Sequence, residues 1–447
     1  MCIRDSPWGG SGGAPVIATL LFTLFIAAMA AGVPIAAAIG LAGMAAIALA
    51  NADAQWLGLM AVPQNFYAGL GKYPLLAIPM FVLVGSIFDR SGVASRLVNL
   101  AVAVVGRGPG MLPLVAISVA MFLGGISGSG PATAAAVGAV MIAAMTRAGY
   151  PRAYSASVVG AAAATDILIP PSVAFIVYSV LVPGASVPAL FAAGMVPGIL
   201  VGLALIVPAV WLARRHRMGQ AESTLPRPPL WASLRESVWG LAAPVLILGG
   251  MRLGWFTPTE AAVVAVFYGL FIGMVVHRTI RVRDLYVILR EAGETSAVIL
   301  LVVALAGIFA YSLSTLGVID PLTRAIVHSG LGEGGVMALI VLLLIVAGMF
   351  LDGISIFLIF VPLLLPIVQH FQWDVVWFGV ILTLMVALGQ FTPPLAVNLM
   401  VSCRIANVPI EHTVRWVGWL LVAVLFVTLL VVLMPQLALW LPAYLGY

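Results

Sequence analysis

Gly124-Gly125-Ile126-Ser127-Gly128-Ser129-Gly130-Pro131-Ala132-Thr133 is a polar, glycine-rich interruption between two apolar arms, residues 111–126 and 131–146. Each arm has 16 residues. That is about 24 Å as helix, short of the roughly 30 Å hydrocarbon core of a bilayer. Two short arms joined by such a tip predict a helical hairpin that enters the membrane and returns. Irregular backbone at that depth is tolerated only where protein or a watery cavity covers it, so the tip is a candidate binding site.

The pattern recurs. Adding 223 to each number aligns Gly125 with Gly348, Gly130 with Gly353, Pro170 with Pro393 and Pro171 with Pro394, without a gap. The second tip is Gly348-Met349-Phe350-Leu351-Asp352-Gly353-Ile354-Ser355, between arms 336–351 and 354–370. Each tip is followed by a Pro-Pro pair inside another apolar segment, at 169–172 and 391–394. Duplicated halves with interrupted helices are the pattern of a secondary transporter whose site lies between the repeats.

Composition agrees. Of 447 residues, 63% are hydrophobic and 8% charged, where a soluble domain carries about 25% charged residues. The expected fold is an all-α polytopic membrane protein. Its units are a first repeat at 14–213 with hairpin 111–146, a cytoplasmic linker at 214–236, and a second repeat at 237–447 with hairpin 336–370. Residues 1–13 are polar and Gly/Ser-rich and are expected to be a non-native or disordered leader. The formal charge of +5 comes from short loops and does not point to nucleic acid. Cys2 and Cys403 imply neither a disulfide framework nor a metal site.

Further apolar segments are expected at 14–31, 34–50, 74–88, 153–181, 187–213, 237–254, 259–276, 295–316, 375–401 and 413–441. Residues 89–110 read as a loop carrying Arg90, Arg96 and Arg107. A second basic loop holds Arg278, Arg281, Arg283 and Arg290, and a surface helix is expected near 231–239. Charge orients the chain. The first hairpin is flanked by Arg and the second by Asp320, Arg324, Glu333 and Asp374, so their bases should lie on opposite sides. Threading the spans from these anchors leaves only Arg4, Lys72, Arg252 and Arg324 outside, and the other 16 of the 20 basic residues inside. The halves come out inverted, with two-fold pseudosymmetry in the membrane plane.

Chemistry follows from residue types. Glycine lets backbone carbonyls turn toward a ligand, and serine adds a neutral oxygen, a set that suits Na⁺. Gly130-Pro131 opens a helix whose N-terminus suits an anion. Close packing of small residues is the competing account of the tip. The Pro-Pro pairs free carbonyls opposite each tip, where a simple kink is the plainer account. Asp166 and Asp352 are ionisable at membrane depth and are candidates for a cation. Asp352 also reads as a helix cap. Thr133, Ser172, Gln390 and Asn398 are weaker polar candidates. Thr257-Pro258-Thr259-Glu260 reads as a capping box. No Walker loop or nucleophile elbow appears, and no nucleophile–base pair has convincing spacing, so neither an ATPase nor another enzyme is expected.

Pro74-Leu75-Leu76-Ala77-Ile78-Pro79-Met80-Phe81, the Gly-Ile-Ser-Gly-Ser-Gly tip, Ile169-Pro170-Pro171-Ser172, Thr257-Pro258-Thr259-Glu260-Ala261-Ala262 and Thr392-Pro393-Pro394 keep a familiar order and spacing. From residue 14 to the end, the chain resembles the large membrane subunit (DctM-like) of tripartite ATP-independent periplasmic (TRAP) transporters. The resemblance implies a multi-pass protein of the bacterial inner membrane and an elevator-type mechanism. It implies a separate small four-helix membrane subunit (DctQ-like), a periplasmic substrate-binding protein (DctP-like), and Na⁺-driven import of an organic acid such as a C4-dicarboxylate. It places one cation site at Gly125, Ser127, Gly128, Ser129 and Gly130 with the Pro170 break. The other lies at Gly348, Asp352, Gly353 and Ser355 with the Thr392–Pro393 break. Substrate would lie between the tips, near Ser129, Thr133, Ser172, Asp352 and Asn398. Asp166 stands where the family more often has a small residue. Na⁺ is the coupling ion, and no cofactor is expected. A stand-alone carboxylate carrier of the same superfamily, or a channel, would carry similar features without a binding protein.

Overall fold

The computed structural model describes residues 13–50, 59–106, 108–224, 227–328 and 330–447. The expected leader, Gly13 apart, and Arg107 lie outside the described residues. The described chain is helical, as a bilayer demands, because a lipid-exposed segment must satisfy its own amides. It forms twenty α-helices. The first five are α1 (Gly13–Ala30), α2 (Ile35–Ala50), α3 (Ala61–Leu70), α4 (Ala77–Arg90) and α5 (Val93–Val105). The first hairpin is α6 (Met111–Ser127) and α7 (Gly130–Arg147), followed by α8 (Arg152–Ala162), α9 (Val173–Leu181) and α10 (Val187–Arg215). Next come α11 (Leu230–Arg252), α12 (Pro258–Leu270), α13 (Val282–Thr315) and α14 (Ile319–Val327). The second hairpin is α15 (Gly332–Gly348) and α16 (Gly353–His370), followed by α17 (Val375–Gly389), α18 (Val397–Ala406), α19 (Val414–Leu433) and α20 (Gln436–Leu445). Among the described residues, six helices are long and apolar enough to cross a membrane.

Two sets of helices form around the hairpins. In one, α13 packs along α2, α3 and α4, α1 along α2, α12 along α4, and α11 along α5 and α12. Close approach needs small residues. A methyl group on Gly43 of α2 would sit 3.1 Å from the Phe309 backbone of α13. In the other set, α6 packs on α7 and α10, α7 on α8, α15 on α17, and α10 on α19 and α20. The halves also interlock. Helix α18, after the second break, packs against α7 and α8 of the first half. Reciprocally, α9, after the first break, packs against α16 of the second.

Several boundaries differ from the sequence reading. The expected loop at 89–110 contains α5, whose Val93, Ala94, Leu97 and Val98 are buried on one helical face. The second basic loop is largely the start of α13, which carries Arg283 and Arg290 and runs 34 residues. The surface helix expected near 231–239 is the first part of α11. Helix α15 begins at Gly332, ahead of the expected arm, because glycine costs little in a first turn that lacks intrahelical acceptors. The last expected span is two helices, separated where Pro435 offers no N–H.

The segment between α10 and α11 is fastened to the base of the first hairpin. Glu222 is 3% exposed. Its Oε1 accepts the Leu112 amide at 2.5 Å and its Oε2 accepts the Tyr150 hydroxyl at 3.2 Å. That hydroxyl accepts the Gly110 amide at 2.8 Å. The carboxylate thus caps the start of α6, whose first amides lack helical partners. Burial pushes the Glu222 carboxyl above its ordinary range, against the lowering effect of these bonds.

Candidate transport site

The first tip is shaped by Gly128. Helix α6 ends at Ser127, and Gly128 takes φ +63°, a left-handed turn that closes helices. A methyl group there would lie 2.6 Å from the Pro171 carbonyl oxygen. Both the turn and the approach to the first break therefore require glycine. Ser129 is extended, at φ −133° and ψ 104°, and α7 opens with Gly130 and Pro131. Proline costs no bond in a first turn.

The second tip turns through Met349-Phe350-Leu351. Asp352 then caps α16. Its Oδ2 accepts the amides of Ile354 at 3.1 Å and Ser355 at 3.3 Å. Its Oδ1 accepts the Ser355 hydroxyl at 2.5 Å. The Leu395 amide donates to the Met349 carbonyl at 3.4 Å, joining this tip to the second break.

Both breaks contain cis peptide bonds, Pro170–Pro171 and Pro393–Pro394. Ser172 Oγ donates to the Ile167 carbonyl at 2.6 Å, and Thr392 Oγ1 to the Leu388 carbonyl at 2.5 Å. Across the second break, Asn398 donates its amide to the Gln390 carbonyl at 3.0 Å and its side-chain Nδ2 to Gln390 Oε1 at 2.9 Å. A methyl group on Gly130 would lie 2.6 Å from Asn398 Nδ2, so the first tip lies against the second break.

One cavity of about 470 Å³ joins these parts. Ser127 to Ala132 of the first tip and Gly348, Phe350 and Leu351 to Ile354 of the second line it. Val173 and Ala174 at the start of α9, and Ala396 and Val397 at the start of α18, line it too. Four helix N-termini therefore meet one space, and such termini favour an anion. Helix α4 contributes Val82, Gly85, Ser86 and Asp89, spaced as one helical face, and α13 contributes Thr295 and Ile299. The rest of the wall is largely apolar.

Behind the first tip lies a second layer of candidates. Asp166 is fully buried, and its Oδ2 accepts the Thr133 hydroxyl at 2.9 Å. A methyl group on Gly124 would meet the Asp166 Cα at 2.9 Å. Asp166 Oδ1, Ser127 Oγ and Asn398 Oδ1 are buried oxygens without a hydrogen-bond partner among the described residues. Unpaired buried oxygens around glycine backbone fit a small hard cation. A methyl group on Gly125 would lie 3.5 Å from the Pro170 carbonyl oxygen, so tip and break are in contact there. At the second tip, by the same alignment, Gly389 takes the place of Asp166, and Gly348 approaches it closely.

The sequence-derived candidates divide accordingly. Ser127, Gly128, Ser129, Gly130, Gly348, Asp352 and Gly353 line the cavity. Gly125, Asp166, Pro170, Ser355, Thr392 and Pro393 stand behind it. Thr133, Ser172 and Asn398, expected at the substrate, are also set back, because each turns its donor to Asp166, Ile167 or Gln390. Asp89, Ser86 and Thr295 were missed. The signal for Asp89 is the 82, 85, 86, 89 face of α4, which its charge at the helix end disguises as the start of a loop.

A family model for the tripartite ATP-independent periplasmic transporter, DctM component, matches residues 22–437. The chain belongs to this DctM family. It is 36% identical over 412 residues to the C4-dicarboxylate TRAP transporter large permease protein DctM of Pseudomonas aeruginosa, covering 91% of this chain and 94% of that one. The Vibrio cholerae protein of the same description is 33% identical over 457 residues, covering 95% and 97%. An isethionate TRAP transporter permease protein, DctMQ, of Oleidesulfovibrio alaskensis is 39% identical over 290 residues, 65% of this chain. That match spans less than half, 45%, of the relative's length. The YdaH transporter of Alcanivorax borkumensis shares the fold at TM-score 0.56 and 14% identity, over 86% of this chain and 90% of that one. DctM proteins are transporter permeases rather than enzymes, and this one is a multi-pass protein of the inner membrane.

Proposed function

We propose that this DctM chain is the large membrane subunit of a transporter that couples Na⁺ to the import of an organic acid. The observation that carries the reading is the single cavity bounded by both hairpin tips and by the helices that follow both Pro-Pro breaks. The N-termini of α7, α9 and α18, which carry no side-chain cap, bind the acid's carboxylate or sulfonate, and Na⁺ sits behind the tips among the carbonyls and unpartnered oxygens. Coupling arises because each charge lowers the cost of burying the other. A small four-helix membrane subunit and a periplasmic substrate-binding protein complete the assembly. The relatives it matches are named for C4-dicarboxylates, isethionate, sialic acid and 2,3-diketo-L-gulonate, so family membership alone leaves the acid open.

The reciprocal packing of α18 on α7 and α9 on α16 supports an inverted repeat. The two sets of helices meeting at the cavity support an elevator in which the hairpin-bearing set slides against the other. The test is uptake into proteoliposomes by all three components, with and without a sodium gradient. Accumulation that needs Na⁺ and the binding protein is expected. Equal uptake by this chain alone would favour a stand-alone carrier, and sodium independence would refute the coupling.

A further inference from the structure

Asp89 has no part in the reading above. It lies on the last turn of α4, one helical turn beyond Gly85, which faces Ser127 of the first tip. Its side chain is exposed to the cavity. The neighbouring Arg90 is committed to Glu291 of α13, at 2.6 Å. Among the described residues, Asp89 makes neither a hydrogen bond nor a salt bridge. The cavity's other carboxylate, Asp352, has both oxygens engaged in capping α16. Among the described lining residues there is no Lys, Arg or His.

The cavity therefore has two unlike poles. One is the cluster of helix N-termini, which attracts an anionic head. The other is a carboxylate to which none of the described wall residues donates a hydrogen bond. We propose that Asp89 selects the substrate's far end, so that the transported acid carries a hydrogen-bond donor there, hydroxyl or ammonium, rather than a second carboxylate. A dicarboxylate would place like charges together at Asp89 in a space with no basic residue to separate them. A donor would instead satisfy the carboxylate, and bonds to charged groups are the stronger kind. This rests on the transport reading and narrows its substrate class.

The test uses the full chain purified with its small membrane subunit in saturating sodium. Binding of butyrate, 4-hydroxybutyrate, 4-aminobutyrate and succinate is read from the concentration dependence of the unfolding temperature. The four probes share chain length and differ at the far end. At least one donor-bearing acid should bind about tenfold tighter than succinate. Asp89→Ala should close that gap. If Asp89→Ala does not fold, Asp89→Asn should weaken 4-aminobutyrate more than 4-hydroxybutyrate. Succinate binding as tightly as the donor-bearing acids in the native chain would overturn the proposal and leave the transport reading intact. So would an unchanged order in the variants. Failure of every acid to shift the unfolding temperature would overturn both.

Discussion

At the residue scale, the two tips solve one problem with different chemistry. Ser129 leaves the first turn of α7, where Gly130 and Ala132 line the cavity, without a side-chain cap. Asp352 caps α16 itself. Ser129→Ala should therefore weaken Na⁺-dependent uptake with little loss of stability. Asp352→Ala should weaken uptake and also cost about 1 kcal/mol of stability from the lost cap. Parallel uptake and thermal-unfolding measurements separate the two effects, and unchanged sodium dependence in both variants would refute the site assignment. Gly128→Ala is a severe small change at the first tip. It opposes a left-handed φ and thrusts a methyl group at the Pro171 carbonyl. Normal membrane insertion with uptake abolished is the expected result, checked by expression level against transport.

At the element scale, the tips and breaks were legible because Gly and Pro act locally. A positive φ or a missing N–H interrupts a helix whatever surrounds it. The ends of α4, α5 and α13 were not, because charged residues on a helix that leaves the bilayer look like loop. Asp89 was lost for that reason, and the inward turn of Thr133 and Ser172 depends on partners far away or across a break. The Glu222 clasp was also invisible, since its partners Leu112 and Tyr150 are distant in sequence. It yields a prediction with a definite sign. Unfolded, this carboxyl titrates near 4.5, and folded it holds its proton to higher pH. Across that interval the native state binds more protons, so stability falls as pH rises. Glu222→Gln keeps an acceptor for the Leu112 amide and should flatten that slope, seen as unfolding temperature followed from about pH 4.5 upward. An equal slope in both proteins would show that another group sets it.

At the scale of the whole molecule, the proposed inverted repeat predicts that the hairpin bases lie on opposite faces of the membrane. With Cys403→Ser and Cys2→Ser as background, Arg147→Cys should react with a membrane-impermeant thiol reagent only from the cytoplasm, and Leu331→Cys only from outside. Labelling of both from one side would exclude two-fold pseudosymmetry. The interlocking of α18 with α7 and of α9 with α16 has a consequence for heredity as well as for motion. Neither half owns a complete interior, because each supplies a wedge to its counterpart. Gene recombination near residue 229 that grafted a distant cousin's C-terminal portion would mismatch two seams at once. Such chimaeras should survive only when α9 and α18 travel with the hairpins they fit.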